Sequence, residues 1–380
     1  MQITKFAIPE VIFGNGSIQF LASCAMRLGG KRVLLVSDKG IEKSGWVQVI
    51  REILEEAKLD CIYFDELTAN PRDSQIQQGA KLYRENKADV IIGLGGGSPI
   101  DASKGIATIV SNGGNIHDYE GANRISHPLP PMIFIPTTAG SGSDVSQYAI
   151  ITDKKRQVKM SIISRSLVPN ISIIDPDLLV TKSRELILSS AVDALAHAIE
   201  SYVSLLASPF TESQAMTAIR LIAGNIKPAA NSKDREALKN LSIASTAAGM
   251  SFSNAGLGVG HALAHSLGGR YDVTHGMTLP ILLPAVVRFN QPSCERKMAT
   301  IAHAIYESCP APVSDRKKSL SDTLYMMFAE LGIPMQLRKI VPDNDHMEEI
   351  CRLAVQDACS VPNPRATKWQ DLLKICEEVW

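Results

Sequence analysis

At 380 residues the chain is too long for one ordinary module, and about 150 residues per domain predicts two or three domains. Hydrophobic residues make up 45% and charged residues 21%, enough apolar content for a sizeable core and too much for a disordered segment. Lysine plus arginine and aspartate plus glutamate each count 39, and the resulting zero net charge argues against a nucleic-acid partner or a polybasic membrane surface.

The opening segment, MQITKFAIPEVIFGNG, lacks the basic end and long apolar run of a secretory signal. No uninterrupted apolar run of ~18 residues predicts a membrane-spanning helix. The seven cysteines are odd in number, scattered and without a CxxC pair, which argues against a disulfide scaffold and suits a reducing cytoplasm. RVLLV at 32–36 reads as a buried strand ending in Ser37-Asp38, followed by a helix over 46–57 and a strand-like CIYF at 61–64. A second helix is expected over 74–85, then the strand of ADVIIGL, then PMIFIP at 131–136. VKMSII at 158–163 and ISIID at 171–175 read as further strands closing this half. Strands alternating with helices of this length predict a parallel sheet covered on both faces.

The strand at 89–94 runs straight into Gly95-Gly96-Gly97-Ser98, with Pro99 placed where a helix would begin and Asp101-Ala-Ser-Lys continuing it. Glycines let the backbone approach a phosphate, and a helix start aims free N–H groups and a positive dipole end at it. The GxGxxG fingerprint is absent, so this is not the standard Rossmann turn. Pro136-Thr137-Thr138-Ala-Gly-Ser141-Gly-Ser143 has the same form, with hydroxyls able to donate to a ligand. Asp38 could accept from a ribose 2′-OH and repel a 2′-phosphate, or could simply cap a helix.

From about 183 onward helical spacing dominates, over 186–205, 210–225, 235–251, 257–268, 295–308 and 317–331. An α/β domain of residues 1–182 followed by an all-helical domain of residues 183–380 is therefore expected. Of eight histidines, four fall between 197 and 275. Asp193 and His197 are four apart, within roughly 40° of each other on one helix face, and 194–196 between them are apolar. His261 and His265 repeat that spacing, Gly268-Gly269 is expected to stop their helix, and His275 follows after a short loop. Buried Asp and His need partners, which a divalent metal would supply. Carboxylate plus imidazole without thiolate suits Fe²⁺, Zn²⁺ or Mn²⁺. These five residues exceed what an open catalytic site requires, so one of them, which spacing does not single out, is expected to support the ligands from behind or to act as a proton relay.

GGGSPIDASK (95–104), PTTAGSGSDVS (136–146), VDALAHAIESYVS (192–204) and HALAHSLGGRYDVTHG (261–276) together resemble the iron-containing, or group III, alcohol dehydrogenases. The likeness runs from IFGNG near Ile12 to CSVPNPR at 359–365. It implies a dehydroquinate-synthase-like fold: an α/β dinucleotide-binding domain plus an all-α metal-binding domain. Carried over position by position, it implies Asp193, His197, His261 and His275 as metal ligands, with iron the expected ion and zinc or manganese the alternatives. His265 falls at the position implied for proton transfer or cofactor contact. Asp38, Asn70, Gly96, Gly97, Ser98, Asp101, Thr137, Thr138, Ser141 and Lys159 fall at cofactor-contacting positions, and Asp38 resembles the NAD-preferring members. Tyr148, Phe252, Arg270 and Cys359 match substrate-side positions.

Ser141 and Asp144 stand where the family commonly has Thr and Glu, and both keep the functional group. Arg270 invites an anionic substituent on the substrate, against the plainer reading of a loop ion pair with Asp272. The implied reaction is metal-assisted hydride transfer between NAD(H) and a small primary alcohol or aldehyde, with polyol or hydroxy-acid and sulfonate-type aldehyde substrates as alternatives. A metal-dependent hydrolase or lyase would leave the glycine turn without a purpose. By analogy with the family, a homodimer or larger homo-oligomer in the cytoplasm is expected, with neither nucleic acid nor membrane as partner.

Overall fold

A computed structural model of the chain describes residues 5–309 and 319–380. The chain divides into two compact units, one of Ala7–Lys182 and one of residues 183–380 joined by Lys5 and Phe6. Those first residues depart from the expected 1–182 boundary because the Phe6 ring packs on Phe210, centroids 5.9 Å apart.

The first unit carries nine strands: β1 (Glu10–Phe13), β2 (Arg32–Val36), β3 (Asp60–Phe64), β4 (Val90–Gly95), β5 (Gly121–Ala122), β6 (Met132–Pro136), β7 (Tyr148–Asp153), β8 (Val158–Ile163) and β9 (Ile171–Ile174). Six form one sheet in the order β1-β9-β6-β4-β2-β3, and every pairing in it is parallel. Alternate residues of β2 and β4 enter opposite cores. Leu34, Val36 and Ile91 meet Ile76, Ile100 and Ile106 from the helices Asp73–Glu85 and Gly97–Asn112. Val33, Leu35 and Ile92 meet Leu21, Ile50 and Leu54 from the helices Leu21–Arg27 and Trp46–Glu56. Each such side chain contributes about 1.5–3 kcal/mol on full burial, so the apolar runs of the sequence end up at the sheet centre.

Two of the strand expectations separate in space. β9 joins the main sheet beside β6 and β1. β8 instead pairs antiparallel with β7 in a second sheet, ordered β5-β8-β7. The connection leaving β2 goes outward to β3, whereas the one leaving β4 goes the other way, to β6. The neighbours β2 and β4 thus flank a topological switch point, where open parallel sheets bind ligands at the carboxyl ends of their strands. Asp38 follows β2 there, and the glycine turn follows β4.

The second unit is helical throughout its described residues. The helix expected over 317–331 is seen as Leu320–Glu330, and residues 317 and 318 lie outside the described residues. The helix carrying His261 spans Val259–Tyr271 and does not stop at Gly268-Gly269 as expected. A helical glycine costs only about 1 kcal/mol, which packing overrides. The stop falls instead on Asp272, in the left-handed region at φ 56°, a conformation that Asp tolerates. A helix His275–Asn290 forms despite Pro280 and Pro284 inside it. Arg184–Val203 is long and apolar enough to cross a membrane, but 78% of that window is buried within the protein, as for a core helix.

Candidate metal centre and nucleotide turn

The helix Arg184–Val203 starts at Ser183, whose hydroxyl accepts from the Leu186 N–H. Positions 193, 197 and 200 then follow at helical spacing, placing Asp193, His197 and Glu200 along one side. The helix Val259–Tyr271 brings His261 in its first turn and His265 one turn later. Asp193, His197 and His261 offer ligand atoms that all lie within 4.8 Å of one another. The His197 ring stacks on Phe252 and on His261, with centroid distances of 4.3 Å in both cases. His275 opens its helix with its ring centroid 6.2 Å from His261 and 4.9 Å from His265, edge-on to the latter. It approaches the other histidines but stands outside the 4.8 Å group.

His261 is 1% exposed, and its two nitrogens have different surroundings. Nδ1 lies 2.6 Å from the Glu200 carboxylate. Nε2 is buried with no hydrogen-bond partner, and its nearest carboxylate oxygen, Asp193 Oδ1, is 3.8 Å away, too far for a hydrogen bond. Burial alone would lower the basicity of this ring, but the charges of Glu200 and Asp193 outweigh it and push its pKa up to about 9 in the metal-free chain. The same buried negative charge that favours a proton here would also favour a divalent cation. The orphaned nitrogen, the nearby carboxylate and the second imidazole fit a borderline divalent ion.

His265 is 4% exposed, and its Nδ1 lies 2.8 Å from Asp357 Oδ2. Burial pushes the Asp357 carboxyl up, but His265 and the Cys359 N–H outweigh burial and hold it below the usual value. The Cys359 sulfur sits 4.0 Å from His265 Nδ1, and burial first, then Asp357, push its thiol well up. Sequence reasoning missed Glu200 and Asp357. For Glu200 a signal existed, a carboxylate one turn beyond His197; for Asp357, two residues before Cys359, none did.

In the first unit Asp38 caps the helix Lys39–Lys43, its Oδ1 accepting from Gly40 N at 2.8 Å and Ile41 N at 3.0 Å. Gly95 adopts φ +151°, and a Cβ there would lie 2.6 Å from the Pro99 ring, so only glycine suits the turn. Gly96 is the N-cap of Gly97–Asn112 and has no side-chain cap, which leaves the helix start to other acceptors. A Cβ on Gly96 would meet Thr138 Oγ1 at 3.2 Å, and one on Gly97 would meet Ser141 Cβ at 3.1 Å, so the two glycine-containing loops abut. The Ser98 hydroxyl donates to Ala69 O. Lys159 Nζ donates to Asn70 Oδ1 at 2.9 Å, and Thr137 is fully buried. Asp101 faces the second loop, accepting from the Ser143 hydroxyl and from Ile150 N at 3.2 Å. Tyr148 opens β7, its carbonyl accepting from Lys104 Nζ at 2.7 Å. In the helical unit the Arg270 guanidinium meets the His346 ring.

Residues 9–176 match the family model of the iron-containing alcohol dehydrogenases, and residues 187–380 match the C-terminal model of the Fe-containing alcohol dehydrogenase family. The chain belongs to the iron-containing alcohol dehydrogenases. A 1,3-propanediol dehydrogenase of Citrobacter freundii is 36% identical over 380 residues, covering 99% of this chain and 98% of the relative. An NAD-dependent methanol dehydrogenase of Bacillus methanolicus is 33% identical, covering 98% and 99%. A crystal structure of a 1,3-propanediol oxidoreductase superimposes with a TM-score of 0.94 at 34% identity, covering 100% of both chains. This iron-containing alcohol dehydrogenase is accordingly an oxidoreductase that exchanges hydride between an alcohol or aldehyde and a nicotinamide.

Proposed function

We propose that the chain interconverts a small primary alcohol and its aldehyde with NAD(H), using a divalent metal, iron first and zinc or manganese next. The close, buried approach of Asp193, His197 and His261 carries this reading. Asp193, His197, His261 and His275 would hold the ion, with residues 183–380 as the catalytic half. Residues 1–182 would be the nucleotide half, where Asp38, Asn70, Gly96, Gly97, Ser98, Thr137, Thr138, Ser141 and Lys159 would contact NAD. Asp101 would serve the cofactor through the loop at Ser143.

When bound, the metal supplies Lewis-acid polarisation of the substrate oxygen and the nicotinamide accepts or returns the hydride. The protein's own part is orientation and proton handling. Asp357 engages Nδ1 of His265, leaving Nε2 as the nitrogen that takes a proton in oxidation and returns it in reduction. Phe252 and Cys359 would present an apolar wall to a short substrate. Arg270 has the His346 ring as a partner, so no anionic group on the substrate is needed to account for it. A homo-oligomer in a reducing cytoplasm completes the proposal, in keeping with seven free cysteines.

Metal removal followed by readdition tests the assignment. NADH oxidation by C2 to C4 aldehydes should vanish on chelation and return with Fe²⁺ or Zn²⁺. His261→Ala should lose turnover about 10²–10³-fold, the scale on which removing a group that stabilises transition-state charge acts, while keeping its circular dichroism. Retained turnover in that variant would remove His261 from the centre.

A further inference from the structure

Glu200 belongs to neither the metal group nor the nucleotide turn, yet it is 2% exposed and carries a carboxylate. Its Oε2 accepts from Gly258 N at 3.0 Å and its Oε1 from Gly260 N at 2.8 Å. Oε2 also lies 2.6 Å from Nδ1 of His261. Two N–H groups donate to this carboxylate, and an imidazole nitrogen is a stronger base than a carboxylate, so the proton between them belongs to Nδ1 and Glu200 accepts it.

The glycines make this possible. A Cβ at position 258 would stand 2.9 Å from Glu200 Oε1, and one at position 260 would stand 2.7 Å from it. The carboxylate therefore fills the room that side chains would take at the start of Val259–Tyr271. The N-cap of that helix, Gly258, offers no side-chain cap, and Glu200 takes that role from another helix, against the positive end of the dipole.

We propose that Glu200 is a positioning residue that fixes the tautomer and seat of His261, leaving Nε2 as the only nitrogen able to bind an ion. The inference rests on the metal-centre reading given above. A partner carboxylate on the far nitrogen of a liganding histidine commonly governs affinity 10–100-fold.

The test is Glu200→Gln, which keeps the volume. An amide has one accepting oxygen and one donating nitrogen, so either a glycine N–H or His261 Nδ1 must face a donor. When Nδ1 faces it, the ring proton moves to Nε2 and blocks ligation. Co²⁺ titration of the metal-free protein, followed by visible absorption, should show the dissociation constant raised about 10–100-fold. NADH affinity serves as the control for the folded first unit.

A Glu200→Gln protein that melts lower but binds Co²⁺ within twofold of wild type would reduce Glu200 to a helix cap and overturn the proposal. If wild type and His261→Ala bind Co²⁺ alike, the metal-centre reading itself has failed, which is a different result. Should Glu200→Gln not fold, nitrogen-15 NMR of Zn²⁺-loaded wild type decides, with His261→Ala used for assignment. A proton on Nδ1 and zinc on Nε2 supports the proposal; the reverse arrangement ends it.

Discussion

A histidine has two nitrogens, and what engages one decides what the other can do. Here each of two buried histidines has a carboxylate on Nδ1, Glu200 for His261 and Asp357 for His265, so the two rings can serve different purposes from the same helix. Asp38 divides its duties in a similar way. Both capping bonds use Oδ1, while the negative charge of the whole carboxylate faces any phosphate brought to the end of β2. Asp38→Asn separates the two functions, since Asn caps a helix as well as Asp does. The variant should melt as wild type does while its preference in kcat/KM for NAD over NADP falls at least ~10-fold, the effect of losing about 1.4 kcal/mol of charge repulsion. An unchanged ratio from steady-state kinetics with both cofactors would take Asp38 out of cofactor discrimination.

Helices place these residues, and glycine lets two of them approach closely. A Cβ on Gly276 would lie 2.8 Å from Ser189 Cβ and 2.9 Å from the Ser189 carbonyl oxygen, on the helix that carries Asp193 and His197. Backbone cannot yield as a flexible side chain does. Gly276→Ala should cost about 1–3 kcal/mol in urea unfolding and weaken metal binding, because it displaces the helix start that holds His275. Stability lowered with metal affinity intact would show that His275 does not depend on this contact.

In the first unit, the helix Gly97–Asn112 carries the fully buried Lys104, whose Nζ donates to Ser146 O, Ser146 Oγ and Tyr148 O. It thereby ties the glycine turn's helix to the second loop. Burial lowers the Lys104 pKa from 10.5 to about 8, even though the carboxylates of Asp101 and Asp144 oppose the shift. Between those values the unfolded chain binds more protons than the folded one, so folding gains stability as pH rises. Relative to Lys104→Met, wild type should gain about 3 kcal/mol from pH 8 to 10.5, at roughly 1.4 kcal/mol per pH unit. Parallel stability curves for the two proteins would contradict a depressed Lys104.

Across the whole molecule, the residues proposed for NAD fall within Ala7–Lys182 and those proposed for metal within 183–380. Chelation should therefore remove turnover and leave NADH binding, followed by nucleotide fluorescence, nearly unchanged. Readding Zn²⁺ at 100 times its dissociation constant should stabilise the protein by about 2.7 kcal/mol through mass action. Loss of NADH binding on chelation would mean that the two sets of residues are not independent.

Much of this was legible along the chain because it is written in local spacing. The alternation of strands and helices announced the parallel sheet, Gly95 at the end of β4 with the two glycines after it marked the candidate ligand turn, and two pairs of residues four apart marked the candidate metal centre. Local spacing failed where a residue's role depends on a distant partner. The two Nδ1 contacts span 61 and 92 residues of sequence, and nothing near Glu200 or Asp357 names the histidine it engages. For the same reason β8 joined the second sheet rather than the first, and the helix of His261 ran through its glycines to Asp272. Periodicity sets which element forms and which face it buries. Tertiary packing alone decided which buried carboxylate met which ring nitrogen, because an unpaired buried polar group is costly and its partner comes from whichever element the fold brings near.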